Sequence, residues 1–169
     1  MMEKRRRGQI FSADFLVGVI VVLFVMTSLQ VYHSRIMEDI RQEEKLVFQE
    51  SLASRTDTLI LFRGEPKNWD NETVKTLGFS TGVPNELNET KLIEYFQMED
   101  EKSESLLGFY ERDFYLSIEN KTGDVVEIDG IELKRGNKNW QDAENIYAVE
   151  RDISLYGTSK GSIMRLVVW

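Results

Sequence analysis

The sequence predicts an α+β protein: a long N-terminal helix, transmembrane in its first half, packed on a C-terminal antiparallel sheet of about four strands. Three observations carry this expectation. Phe15 to Leu29 holds no charge, and no proline or glycine interrupts the chain from Val19 to Arg63. Beyond Asp113 the apolar residues leave helical spacing and alternate. Between Arg7 and Arg35 the single charge is Asp14, whereas everything after Arg35 is dense in charge, a shift that marks a membrane–water boundary.

The apolar element comes first. Gly8 to Ser34 is a stretch of 27 residues, and as a helix it would reach about 40 Å against a hydrocarbon core of about 30 Å. In lipid the backbone must satisfy its own amides, so a helix is the expected form. Lys4, Arg5, Arg6 and Arg7 flank it on the N-terminal side, which holds that end in the cytoplasm and places the remainder outside. A cleaved secretory signal needs a shorter apolar core and a small-x-small site; Thr27-Ser28-Leu29-Gln30-Val31-Tyr32 is a poor one. An uncleaved signal anchor is a second reading. Asp14 lies near the membrane end of the helix, where a carboxylate is costly and is either paired with a partner group or solvated at the interface.

Apolar residues then continue at helical spacing through Ile36, Ile40, Val47, Leu59, Ile60 and Phe62, with Arg41, Glu43, Glu44 and Lys45 on a wet face. The expected helix runs from about Asp14 to Phe62, with room for a bend near Ser51 to Thr58, and Gly64-Glu65-Pro66 ends it. Gly64 to Asn88 reads as loop. Leu92, Ile93 and Phe96 predict a short helix with Asn88 as its N-cap. The acidic run Glu99-Asp100-Glu101 follows, then a turn around Ser105 to Gly108.

Phe114, Leu116 and Ile118 predict a strand, and Lys121 to Asp124 a turn. Val125 to Leu133 is expected to return as its partner, interrupted at Asp129-Gly130. Ile146 to Tyr156 and Ser162 to Trp169 form a second pair around Gly157 to Gly161. The segments are therefore a basic leader (1–8), a membrane helix (9–34), an amphipathic extension (35–63) and an extracytoplasmic α+β head (64–169).

Charge and composition narrow the chemistry. The net charge of -8 conceals a basic leader on an acidic chain, and an acidic head repels phosphate backbones, so no nucleic-acid partner is expected. The absence of cysteine excludes disulfides and thiolate chemistry. His33 is the only histidine, so a His/Cys metal site is excluded. The acidic groups lack EF-hand spacing, and Thr158 to Ser162 lacks the glycine spacing of a P-loop. No cofactor, metal or catalytic constellation is expected. Three Asn-x-Thr sequons, at Asn71, Asn88 and Asn120, fall in predicted loops on the outer side and are candidate N-glycosylation sites.

Arg6-Arg7-Gly8-Gln9-Ile10-Phe11-Ser12-Ala13-Asp14-Phe15 resembles the class III signal peptide of archaeal type IV pilins and archaellins. The resemblance implies cutting between Gly8 and Gln9 by a membrane-embedded prepilin peptidase, which leaves the apolar helix attached to the head. Glycine suits such a site because it lets a protease approach the backbone. Gly64-Glu65-Pro66-Lys67-Asn68-Trp69, the strand at Asp113 to Leu116 and the apolar end Leu166 to Trp169 are similar, less specifically, to features of the same proteins. What the resemblance implies is a subunit of a cell-surface filament, such as an adhesive pilus, with other pilin subunits as partners through the N-terminal helix. The charged stretch Glu38 to Glu50 favours a minor subunit over a major one. Bacterial-type pilins carry an acidic residue five positions into the mature chain; Asp14 would be sixth. The other reading is a signal-anchored extracytoplasmic binding module outside any filament.

Overall fold

The structure, a computed structural model, describes the chain from residue 3, with side chains from residue 13 onward and without residues 110, 111, 138, 144 and 157–160. The long helix is present as α1 (Glu3–Leu61), continuous through Ser51–Thr58. The chain forms two units, one ending at Val47 and one comprising Phe48–Trp169. The last turns of α1 thus belong to the second unit, the head, which divides the expected 35–63 extension.

Termination of α1 follows from Gly64, which adopts φ +74°. A Cβ there would stand 2.4 Å from the Trp69 indole nitrogen, so only glycine lets the chain turn off the helix and seat Trp69 beneath it. The buried indole N–H donates to the carbonyls of Arg63 (3.1 Å) and Gly78 (3.0 Å). Lys91 Nζ donates to the same Arg63 carbonyl and lies over the Trp69 ring, placing a cation at the negative end of α1.

The loop after α1 contains β1 (Glu86–Leu87) and leads into α2 (Glu89–Phe96). Asn88 is the N-cap, its side chain accepting from the Lys91 backbone N–H. The buried face of α2 holds Lys91, Leu92, Tyr95 and Phe96, with Ile93 only half-buried. It is rotated from the expected one because Lys91 is drawn under α1. The acidic run opens a helix, α3 (Asp100–Leu107), ending at Gly108 with φ +74°; the segment expected to be a turn is its second half and cap.

Five strands make the main sheet: β1, β2 (Phe114–Asn120), β5 (Lys134–Gly136), β6 (Tyr147–Leu155) and β7 (Gly161–Val168), in the order β1-β6-β7-β2-β5. The contacts are antiparallel except β1 with β6. The pairing of Ile146–Tyr156 with Ser162–Trp169 is as expected; of their intended turn, residues 157–160 lie outside the described residues. Val125–Leu133 does not return as one strand on β2. It folds into its own hairpin, β3 (Glu127–Ile128) and β4 (Ile131–Glu132). The reason is local: Asp129 and Gly130 both take positive φ, 51° and 82°, the geometry of a two-residue hairpin turn. The segment meets β2 only at its ends, where Val125 bridges Glu119, the Val126 N–H donates to the Ile118 carbonyl and the Ile118 N–H donates to the Leu133 carbonyl; the ladders of β2 are with β5 and β7.

One sheet face carries Phe114, Leu116 and Ile118 beside Val168, Leu166 and Met164. All are buried, in one core with Leu52, Leu59 and Ile60 of α1, with α2 and with Leu107. The opposite face is partly polar. Buried Glu119 accepts from Ser117 and Arg165, and Arg165 reaches Glu150. Arg151 pairs with Asp57 of α1 at 2.7 Å.

Candidate functional site on the N-terminal helix

From residue 13 to residue 46 every side chain of α1 is exposed. Phe15 is 72% exposed, Phe24 73% and Leu29 61%, although water-facing helices of globular proteins keep such residues on one buried stripe. Apolar residues cover the whole circumference, so no orientation of the helix in water would hide them. The described part of α1 holds the one segment among the described residues that is long and apolar enough to cross a membrane, with a peak mean hydropathy of 2.3.

Its polar groups are arranged for an apolar medium. The hydroxyls of Thr27 and Ser28 donate to the carbonyls of Leu23 and Phe24, each at 2.8 Å. Neither therefore requires water, which lipid would not supply. Asp14 stands exposed at the N-terminal end of the apolar run. Lys4 to Arg7 and the Gly8–Gln9 bond lie on the backbone of α1, and their side chains fall outside the described residues. Chemically, a surface of this kind does one thing: it associates with hydrocarbon, from lipid or from other apolar helices.

The three sequons are all in the head and well apart in the chain. Asn71 is half-buried in the loop after Trp69, and its backbone N–H donates to Glu94. Asn88 caps α2. Asn120 ends β2 and shapes the following turn: its Oδ1 accepts from the backbone N–H groups of Thr122 and Asp124 and from the Thr122 hydroxyl. The Asn120 amide nitrogen is within 3.2 Å of Asp124 Oδ2.

No group of three or more acidic or histidine side chains is placed to hold a metal among the described residues. Two titratable groups are displaced by burial. The Lys91 ammonium is pushed down by burial and by the neighbouring Arg63. The Tyr95 hydroxyl is pushed well above the ordinary tyrosine range by complete burial. Arg135 and Ser103 oppose this, while Asp100 and Glu104 add to it. The Ser103 hydroxyl itself donates to the Asp100 carbonyl, and Tyr95 Oη has no hydrogen-bond partner among the described residues. Tyr95 lies within the core, and Lys91 lies buried beside Trp69 at the end of α1.

Comparison with known proteins returns no matching family model, curated protein or solved structure.

Proposed function

We propose that this chain is a structural subunit, of the minor kind, in an archaeal type IV pilus-like surface filament. A prepilin peptidase cuts between Gly8 and Gln9, and the apolar helix passes from lipid into the filament core. The carrying observation is the fully exposed apolar circumference of α1, residues 15 to 32, directly preceded by the basic Gly-Gln leader. A helix apolar all round serves equally in lipid and among identical helices, and cutting before it retains it for both. The basic leader orients the chain with the N-terminus in the cytoplasm and the head outside. On that side Asn71, Asn88 and Asn120 are available as glycan acceptors.

Co-expression with an archaeal prepilin peptidase, followed by intact mass and N-terminal sequencing, tests this. The expected new N-terminus is Gln9, lost when Gly8 is replaced by a bulky residue. An intact leader, with the peptidase active on another precursor, would refute prepilin processing and assign the chain to a signal-anchored extracytoplasmic binding module.

A further inference from the structure

Where the last turns of α1 meet the segment after α3, the head carries an open groove of about 430 Å³ lined by Phe48, Ser51, Leu52, Arg55, Phe109 and Arg112. Its floor is aromatic and apolar: Phe109 and Leu52 are buried, and Phe48 packs edge-on to Tyr147 at 4.7 Å. Two guanidinium groups lie over this floor. Arg112 stands 4.1 Å from the Phe48 ring centre and Arg55 5.5 Å from that of Phe109. Arg55 also donates to the Leu107 carbonyl at 2.6 Å.

Neither arginine has a carboxylate partner among the described residues, whereas Arg135, Arg151 and Arg165 of the same head are each ion-paired. Arg63 of the head likewise has no ion pair among the described residues, but it does not line the groove. Arg55, Arg112 and Ser51 are exposed, so the groove would leave a small molecule largely in water, unlike ligand pockets that enclose most of their occupant. It suits a protruding segment that offers carboxylates beside apolar side chains.

The chain itself carries such a segment. On α1, Ile36, Ile40 and Val47 fall on one line at helical spacing, and Glu43 and Glu44 flank that line on its two sides. All five are exposed, Val47 at 61%. No ion pair joins Glu43 or Glu44 to any described residue.

We propose that the Arg55–Arg112 groove of one copy receives the Ile40–Val47 stripe of α1 from a second copy, with Glu43 and Glu44 meeting the two arginines. Arginine forks match carboxylates, and both pairs would be sheltered by the Phe48 and Phe109 rings. The contact joins two different surfaces, so it propagates head to tail rather than closing a symmetric dimer. The proposal deepens the filament reading and rests on it.

The absence of cysteine allows a clean cross-linking test in membranes containing the full chain. Ser51→Cys is placed in one tagged copy and Val47→Cys in a differently tagged copy; a second pair of copies carries Val21→Cys in the apolar helix as the assembly control. Mixed Ser51/Val47 dimers are expected at least about 5-fold above like pairs. Adding Arg55→Glu and Arg112→Glu to the first copy should cut them about 10-fold, since like charges repel across the contact. Glu43→Arg with Glu44→Arg in the second copy should then restore them. A head that merely misfolds would not be rescued by a change in another copy. Helix-control cross-links without the mixed dimer, or a mixed dimer indifferent to the reversals, would overturn the groove proposal and leave the filament reading intact. Loss of both cross-links would overturn both.

Discussion

Replacing Trp69 by Phe should loosen the joint between α1 and the head more than its conservative chemistry suggests. The ring is 3% exposed, and its N–H is shared by two carbonyls, those of Arg63 and Gly78. In the variant Arg63 keeps the Lys91 ammonium as a donor, whereas the Gly78 carbonyl loses its indole. Orphaning one buried acceptor costs about 1–3 kcal/mol, and the smaller ring leaves a void worth about another 1 kcal/mol. The sum, about 2–4 kcal/mol, acts on a unit of about 120 residues, for which each kcal/mol shifts Tm by roughly 4 °C. The expected loss is therefore about 8–16 °C. Thermal unfolding of the full chain in detergent, followed by near-ultraviolet circular dichroism, measures it. Trp140→Phe is the comparison, because Trp140 is half-buried in an otherwise exposed 3-10 turn, Asn139–Asp142. Equal shifts for the two variants would refute the role assigned to the Trp69 hydrogen bonds.

Three further outcomes are expected. Tyr95→Phe removes a buried hydroxyl without a partner, so Tm should stay within about 1 kcal/mol equivalent of the parent or rise. Because the folded-state pKa of Tyr95 lies above its unfolded value near 10, its contribution is complete below about pH 10 and is lost as pH rises further; the variant should lack that part of the alkaline loss in a pH series of melts. Asp70 is held below the ordinary value of 3.8, first by the Thr73 hydroxyl and then by the Thr73 and Glu72 backbone N–H groups. Its contribution is present above about pH 4 and lost as pH falls through the depressed value; an NMR titration should give a midpoint below 3.8, moved upward by Thr73→Val. In the apolar part of α1, the twelve Leu, Ile, Val and Phe residues from Phe15 to Tyr32 would contribute about -4 to -7 kcal/mol to membrane insertion, against about +3 for one central arginine. Val21→Arg should leave most of the chain resistant to carbonate extraction, and Val21→Arg with Val22→Arg should release more than half.

The sequence reveals elements whose signal is local and long. The uncharged run, the breaker at Gly64, the Asn88 cap and the alternation of Phe114, Leu116 and Ile118 each act through adjacent residues, and each is found where expected. α3 was hidden because only Ser103 and Leu107 of its eight residues are buried, too few to mark a period among so many charges. β1 was hidden because two residues carry no pattern; Glu86 and Leu87 become a strand through Ser154 and Leu155, far along the chain. Val125–Leu133 reaches β2 only at its two ends, because the Asp129–Gly130 turn closes its middle on itself, and the long ladder of β2 is with β7, distant in sequence. At the candidate site the apolar helix was legible in full. The Arg55–Arg112 groove was not, since its two arginines come together only through tertiary packing.

The strand order gives β7 a temporal meaning. It is the last strand in chain order, yet it lies at the centre of the sheet, between β6 and β2. Phe114 finds its partner only when Val168 arrives, and Tyr147 waits for the same residue. During synthesis, β2 and β6 therefore emerge with most of their ladder bonds unmade. Pairings so distant in sequence form slowly, and open edges invite association with other chains. The five-stranded sheet can therefore close only in a late step, after residues 161–168 have been made.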